Sequence, residues 1–437
     1  MSPPATKSRP RERAAEGQEK ILRWPLDSGA RRLRFLAIGV AAVTLFVAWV
    51  GADLAAKMLA STLRPERVTL AAHLDPFNAS YPHILGRIAF YEHQDLPAAI
   101  AYYSAAGGLN RYSARYWLDL ANAQQIMAQT EDSRRSLQHA LAADPTNPLV
   151  AREAANYYLV LGDTQTALRL LAMTARYDPL NARVAIELGW RATQDARAVM
   201  SEVLPPTPDA YFLFLQVLME RRQTDAALQA WDGLMALKQS VALESAFPYI
   251  QYLMDEGKVE RAHAAWSQVR RHDDPGRHYA DSANLVDNGG FEDDIVNGGF
   301  SWRYENRPHV TLAIDQRDAF RGRRSLLITI DGDAVRDAGI YQFIAVEPET
   351  GYRLSARVKT DDLEGAGAPQ LMVLDRYSGK QLFLSEPFSA GDPWREVTGD
   401  FRTDAGARLV TLRVVRVPGN TRIRGKVWLD EVSVVRK

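Results

Sequence analysis

Carboxylates are the side chains in this chain best equipped for chemistry, and they occur as adjacent pairs at Asp293–Asp294 and Asp361–Asp362. Cleavage of a glycosidic bond needs two carboxyl groups facing each other across a cleft. Neighbours in turn-like stretches do not provide that arrangement. His272, Asp273, Asp274 and His278 have the residue types of a metal site, but they lie in a charged run broken by Pro275–Gly276. That run reads as a solvated linker. His73, His83, His93 and His139 are too scattered to share an ion and read as surface histidines. The chain contains no cysteine, which excludes disulfides, thiolate metal sites and cysteine nucleophiles. No GxSxG, Walker loop, HExxH or nucleotide-binding glycine pattern occurs. The glycine-rich "NGGFEDDIVNGGF" opens a β-rich region, so it presents no helix N-terminus to a phosphate. The residues therefore indicate a protein that is not an enzyme and requires no cofactor. Lys+Arg and Asp+Glu both number 53, a formal net charge of zero, so nothing points to nucleic acid as a partner.

Four kinds of segment carry these residues. Residues 1–30 are polar, charged and proline-containing, too poor in apolar side chains to pack. "RRLR" (Arg31 to Arg34) then abuts Phe35–Ala52, which contains no charge. At 1.5 Å per residue such a helix spans about 27 Å, enough for the hydrocarbon core of a bilayer. Lys20, Arg23, Arg31, Arg32 and Arg34 crowd one flank, and the other begins with Asp53. The positive-inside rule then puts the tail in the cytoplasm and the bulk of the chain outside it. This predicts a transmembrane helix over 31–55 and a single-pass protein of the inner membrane. A cleaved signal peptide is the alternative, since "ADLAAKMLA" offers small residues to a peptidase, and "ARRLRFL" has a faint look of a twin-arginine signal.

From 68 to 274 the spacing predicts paired helices. Trp117, Leu120, Ala121, Ser133, Leu137, Ala140 and Pro145 are followed thirty-four residues later by Ala151, Ala154, Ala155, Ala167, Leu171, Thr174 and Pro179. An earlier copy contains Leu85, Gly86, Ala98, Tyr102 and Ala105. Asp144–Pro145 and Asp178–Pro179 stop one helix and start the next, because proline suits the first turn only. Gly86, Ala121 and Ala155 should sit where paired helices approach, and Trp117 and Leu137 should fill the space between repeats. This stretch resembles the tetratricopeptide repeat family, with a fourth copy opening at Gly189 and cut short by "LPPTPD", and two weaker ones around Ala227–Trp231 and Ala262–Trp266. The resemblance implies a surface that binds a protein partner, with Tyr91, Tyr102, Arg111, Arg115 and Arg152 as candidates to line it.

After a linker at 275–283 the period changes to two. "YRLSARVKT" places Tyr352, Leu354, Ala356 and Val358 on one face, with Arg353, Ser355, Arg357 and Lys359 on the other. Short alternating runs separated by "DGD" and "PETG" over 284–437 predict an antiparallel β-sandwich or jelly roll.

"NLVDNGGFEDD" (Asn284 to Asp294), then "GGFSWRY", "GRRSLLI", "YQFIAVEPETGYRLSARVKT", "WREVTGDF" and "VWLDEVSVV" follow one another in order. Together they resemble the galactose-binding-like, jelly-roll carbohydrate-binding modules. The resemblance implies that Phe291, Trp302 and Trp394 lie in the core and that the last strand returns beside the first. It also implies a sugar held on exposed aromatics, with Tyr377, Tyr341, Tyr304, Phe383 and, if it is not core, Trp394 as candidates. Arg353 and Arg357 would favour an anionic glycan. A structural calcium is implied as well, on Glu292, Asp430 and Ser325. Oxygen donors suit that hard ion.

The fold expectation is therefore multidomain: a membrane helix, an α-solenoid of tetratricopeptide-like repeats, and an all-β sandwich. The functional expectation is an envelope scaffold that docks a protein through its repeats and a polysaccharide through its last domain. The alternatives are a purely protein–protein scaffold and, behind both, a cryptic polysaccharide hydrolase.

Overall fold

The computed structural model describes residues 27–273, 283–332, 334–388 and 393–437. The expected tail 1–30 and linker 275–283 fall almost wholly outside them, as do Asp274 and His278. The chain forms two compact units, one ending at Pro145 and one running from Thr146 to Lys437.

The first unit begins with α1 (Gly29–Ala60), 32 residues long and capped by the Ser28 side chain, which accepts from the Arg31 N–H. Phe35, Ile38, Val43, Phe46 and Trp49 are all exposed. A helix apolar on every side and left uncovered by the described residues is unlike a core helix; it is long and apolar enough to cross a membrane. The same helix continues beyond the predicted residue 55. Its Ala56 and Ala60 are buried with Val68 and Ala71 of α2 (Pro65–Leu74) and with Tyr81 and Leu85 of α3 (Ser80–Tyr91).

The pairs α3 with α4 (Leu96–Leu109), and α5 (Ala114–Ile126) with α6 (Thr130–Ala143), follow. Gly86 lies against the ring of Tyr103 so closely that a Cβ would collide with it, as expected of a small residue at a helix contact. Trp117 packs on Gly107 of α4 and stacks on His139 at 4.5 Å. His83 departs from expectation. A ring nitrogen lies 2.7 Å from Asp119 Oδ2 and its side chain is only 13% exposed, so it is a paired histidine in a helix contact.

In the second unit, α7 (Pro148–Val160) and α8 (Thr164–Tyr177) precede α9 (Ala182–Thr193) and the short α10 (Ala196–Glu202). The first helices of successive pairs start at 80, 114, 148 and 182, the thirty-four-residue period read from the sequence. α10 stops before Pro205–Pro206, where helix cannot continue. Two further pairs complete the repeats: α11 (Pro208–Glu220) with α12 (Thr224–Ala236), and α13 (Phe247–Asp255) with α14 (Val259–Asp273).

The remainder is two antiparallel five-stranded sheets. One has the order β1 (Arg303–Tyr304), β4 (Asp337–Ala345), β9 (Leu409–Arg416), β6 (Pro369–Asp375), β7 (Gln381–Leu384). The other has the order β2 (Val310–Asp315), β3 (Ser325–Gly332), β10 (Ile423–Arg436), β5 (Gly351–Gly365), β8 (Arg395–Arg402). Leu354, Ala356 and Val358 of β5 face Ile340 and Ile344 of β4 through one core that also contains Phe291 and Trp302. Each large apolar side chain buried there stabilises by about 1.5–3 kcal/mol. Asn284 forms an isolated bridge with Val435, so the last strand returns beside the segment that opens the domain; it pairs with β3 and β5, whereas β1 lies in the other sheet. Trp394 is not in this core; it is half-buried outside it, with Nε1 donating to Asp318 Oδ1 at 3.0 Å.

Candidate functional site

The glycine-rich opening of the β domain is a brace. Asn284 donates to the Val432 carbonyl and its Oδ1 accepts from the Val434 N–H. Asn288, at φ +52, bonds both backbone groups of Asp293 through its side-chain amide and accepts from Trp302 Nε1 at its own carbonyl. The residues after it dock the repeats. A Cβ on Gly298 would strike the Phe247 ring of α13, and one on Gly299 the Trp266 ring of α14. Phe300 meets the His263 ring edge-on at 5.2 Å. Arg270 of α14 is almost fully buried, over the Trp266 ring and 3.7 Å from Asp287. Beside this dock, Val259, Glu260 and His263 share a cleft of about 520 Å³ with Leu285, Pro348 and Tyr352. Nothing in the hydropathy pattern announced the dock. The paired glycines were its one legible trace.

Register defines the outer face of the first sheet. Arg303, Tyr341, Arg413, Met372 and Leu384 are cross-strand partners in a single row. Phe343, Thr411 and Leu374 form the next. Tyr341 meets Phe343 edge-to-face at 5.5 Å, and the Arg303 and Arg376 guanidinium groups lie over Phe343 at 4.8 and 5.5 Å. Tyr341, Phe343, Arg376, Arg413, Glu305 and Thr411 enclose a recess of about 210 Å³. Helix α13 borders it: Arg303 Nη1 donates to Gln251 Oε1 at 2.9 Å, and Arg376 lies 4.0 Å from Asp255. Burial lowers the Arg303 pKa from its ordinary value. Arg303 donates to two neutral oxygens, twice to the Gly299 carbonyl and once to Gln251 Oε1.

The sugar candidates do not come together. Tyr341 stands on this face. Tyr377, in the β6–β7 turn, borders it but is tied down, since its hydroxyl donates to the Met254 carbonyl of α13 at 2.6 Å. Tyr304 is paired with Ile340, a core-facing position, so it points away from the Tyr341 row. Arg353 and Arg357 belong to β5 in the opposite sheet, where each pairs across to β8, with Asp400 at 3.0 Å and Glu396 at 3.3 Å. Lys359 pairs with Asp318 on the same face. That surface is an ion-pair mosaic rather than an open cationic strip. Phe383 packs partly buried against the core. The residues missed were Phe343, Arg303, Arg376 and Arg413, whose grouping depends on cross-strand register.

Glu292, Ser325 and Asp430 do converge, on the loop before β3. Asp430 Oδ2 accepts from the N–H groups of Phe320 and Arg321, and Glu292 Oε1 from those of Arg323 and Arg324. Ser325 Oγ donates to the Asp318 carbonyl at 2.5 Å. Asp430 is fully buried, and burial raises its pKa against the pull of its backbone hydrogen bonds. A buried carboxylate held only by backbone dipoles, among further oxygen donors, suits a hard cation. Two carboxylates and a hydroxyl fall short of calcium's usual six or more oxygens, and backbone carbonyls would supply the rest. No cluster of three His, Asp or Glu side chains occurs among the described residues.

On the repeats, Tyr91 and Arg115 sit on first helices of pairs, Tyr102 on a second helix, and Arg111 in the turn between α4 and α5. Arg111 bonds to and covers Tyr112, and Arg115 pairs with Asp119. Arg152 belongs to α7 in the second unit, and its Nε is buried without a hydrogen-bond partner. The five therefore share no single helix face. His83, Asp119 and Tyr116 form a polar group between α3 and α5, with the His83 and Tyr116 rings 4.6 Å apart.

By fold, then, this is a tetratricopeptide-like helical repeat protein carrying a β-sandwich domain behind one apolar helix. Residues 283–418 match the family model described as a carbohydrate binding domain, so the sandwich is a carbohydrate-binding-module domain in sequence as well as architecture. Among solved structures, a carbohydrate-binding module of the CBM4 class is similar at 18% identity and TM-score 0.28, covering 35% of this chain and 99% of that one. The xylan-binding domain of a Paenibacillus barcinonensis protein is similar at 18% identity and TM-score 0.25, covering 34% of this chain and 91% of that one. A tetratricopeptide repeat protein of Parabacteroides merdae is similar at 12% identity and TM-score 0.30, covering 53% of this chain and 94% of that one. No curated protein matches the chain.

Proposed function

We propose that the protein is a membrane-anchored scaffold of a bacterial envelope, its repeats holding a protein partner and its β domain a glycan, in the assembly or export of polysaccharide. The observation that carries the glycan reading is the recess on the β1–β4–β9–β6–β7 face, where Tyr341 stands beside Arg376, Arg413, Glu305 and Thr411. An aromatic ring packs on the apolar face of a sugar, and charged and hydroxyl groups around it take the hydroxyls. Arg376 lies beside Asp255 and Arg413 is paired with Asp337, so an acidic saccharide would have to share these guanidinium groups with their carboxylates. Titration calorimetry of the full chain with acidic and neutral polysaccharides tests this: binding is expected, weakened by Tyr341→Ala. If no polysaccharide binds, the reading fails.

Helix α1 is the anchor in this reading, with its basic flank in the cytoplasm and the rest of the chain outside. Reporter activity of a C-terminal fusion on the cytoplasmic side would overturn it. Deletion that leaves surface polysaccharide unchanged in amount and length would remove the pathway. A structural calcium on Glu292, Asp430 and Ser325 would brace the loop before β3, away from the Tyr341 face.

A second reading, a scaffold binding proteins only, is favoured by the α13 border. Tyr377, the aromatic expected to hold sugar, is bonded to the repeats instead.

A further inference from the structure

Helix α2 packs antiparallel along the end of α1. Four residues link them, and Ala60 and Ala56 share one buried cluster with Val68 and Ala71. The antiparallel course brings the far end of α2 back beside Asp53, the first charged residue after the apolar run. Lys57 bonds Asp53 at 2.7 Å and also feels the charge of Asp75, and Tyr81 lies within the field of all three. From Ala52 to Ala60 helix α1 rises about 12 Å, and the ten residues of α2 return about 15 Å. Residues 74–77 are therefore level with the point where the apolar rod ends.

Two side chains at that level, Leu74 and Phe77, are apolar and uncovered. Phe77 is 85% exposed, with Leu74 at 43% and Leu70 at 52% one turn behind it. They flank the buried stripe of Val68 and Ala71 rather than continue it. The turn Asp75–Pro76–Phe77–Asn78 has counterparts in Asp144–Pro145–Thr146–Asn147 and Asp178–Pro179–Leu180–Asn181, whose third residues are also exposed. Turn geometry thus accounts for the exposure. It does not account for a phenylalanine beside Leu74 at this height.

We propose that Leu74 and Phe77 insert into the lipid surface beside α1, giving the first helical layer a second membrane contact that fixes its tilt and rotation. This rests on the reading of α1 as a membrane span. Exposed apolar side chains that reach 5–10 Å into the headgroup region bind there by burying their area. Two contacts about different points constrain an orientation that one helix leaves free. The partner is the bilayer itself.

The chain has no cysteine, so single labels are clean. Full-length Val43→Cys, Glu66→Cys, Leu74→Cys and Phe77→Cys variants, each carrying a polar nitroxide, are reconstituted in phospholipid nanodiscs. Accessibility to oxygen and to an aqueous nickel chelate is then compared. Oxygen-favoured labels at 43, 74 and 77, with a water-favoured label at 66, are expected. A nitroxide at Asn78→Cys, read with and without Leu74→Ser and Phe77→Ser, should gain nickel accessibility in the doubly substituted chain. A lipid-like signal at 43 with water-like signals at 74 and 77 would overturn the second contact and leave the anchor standing. A water-like or cleaved position 43 would overturn both.

Discussion

The Tyr377 hydroxyl donates to the carbonyl oxygen of Met254 at 2.6 Å, joining the β6–β7 turn of the sandwich to the last turn of α13. This carbonyl already accepts from the Gly257 N–H at the helix end, and its second lone pair takes a side chain 123 residues away. The bond is one of a set that includes Arg303 with Gln251 and the ring contacts at Gly298, Gly299 and Phe300. The two kinds of fold therefore meet through specific chemistry.

Tyr377→Phe should keep the fold and lower the stability of the second unit by about 1 kcal/mol, the net worth of one hydrogen bond. Scanning calorimetry should register this as a drop in Tm of a few degrees. An unchanged Tm would mean that the bond contributes nothing beyond its replacement by water.

Gly299→Ala should cost more. The residue has φ +55, and the added methyl would enter the Trp266 ring. Overpacking costs about 1–3 kcal/mol, and the left-handed backbone adds to it. Limited proteolysis should find new cleavage near the α14 boundary, whereas Gly379→Ala, with open space at its Cβ, should carry only the backbone cost.

The dock should weaken in mild acid. Burial lowers the pKa of His263 below its ordinary 6.5, so the folded chain keeps the ring neutral where the unfolded chain protonates it. The stability this contributes is present above pH 6.5 and is lost as pH falls through the depressed folded value. Glu260, Arg408, Glu347 and Arg436 line the same cleft. Denaturant midpoints measured between pH 8 and 5 should fall, and His263→Phe should flatten the fall. Equal slopes in the two proteins would assign the pH dependence elsewhere.

Asp400 gives the opposite end of the scale. Hydrogen bonds from Arg353 and Lys437 lower its pKa to about 2. Its contribution is present above the ordinary carboxylate value and is lost as pH falls towards 2. Asp400→Asn should reduce stability at neutral pH and leave it nearly unaltered in strong acid, by urea unfolding at each pH. The pair is solvent-exposed, so the effect should also shrink in high salt.

Calcium should raise the Tm of the β domain and a chelator should reverse it, with Asp430→Asn insensitive to both. In the ion-free protein the raised pKa of Asp430 has a defined sign. Its contribution is largest in acid and declines as pH rises through the folded value. Added calcium should therefore stabilise more at neutral than at acid pH, as the carboxylate becomes available. A melt indifferent to calcium and chelator at neutral pH would remove the ion.

Arginine chemistry was visible in the sequence, but its location was not. Arg353 and Arg357 attracted notice because they alternate along one strand, and strand alternation is local. Whether such a face is open or neutralised depends on the strand opposite, and β8 brought Asp400 and Glu396. Arg303, Arg376 and Arg413 come from three separate stretches of chain, and pairing in one sheet and its adjoining turn gathers them around Phe343. Phe291 and Trp302 were legible as core because both belong to one compact motif. Trp394 was not, because its partner Asp318 lies 76 residues away.

Sequence alone determined the apolar helix, the thirty-four-residue repeat and the alternating strands, because each follows from side-chain periodicity along a short length of backbone. Tertiary structure alone decided that α13 and α14 close onto the sandwich, that Tyr377 is bonded there, and which of the two outer faces gathers aromatic rings and arginines. Those outcomes depend on contacts between residues far apart in the chain, whose register and packing leave no period to read.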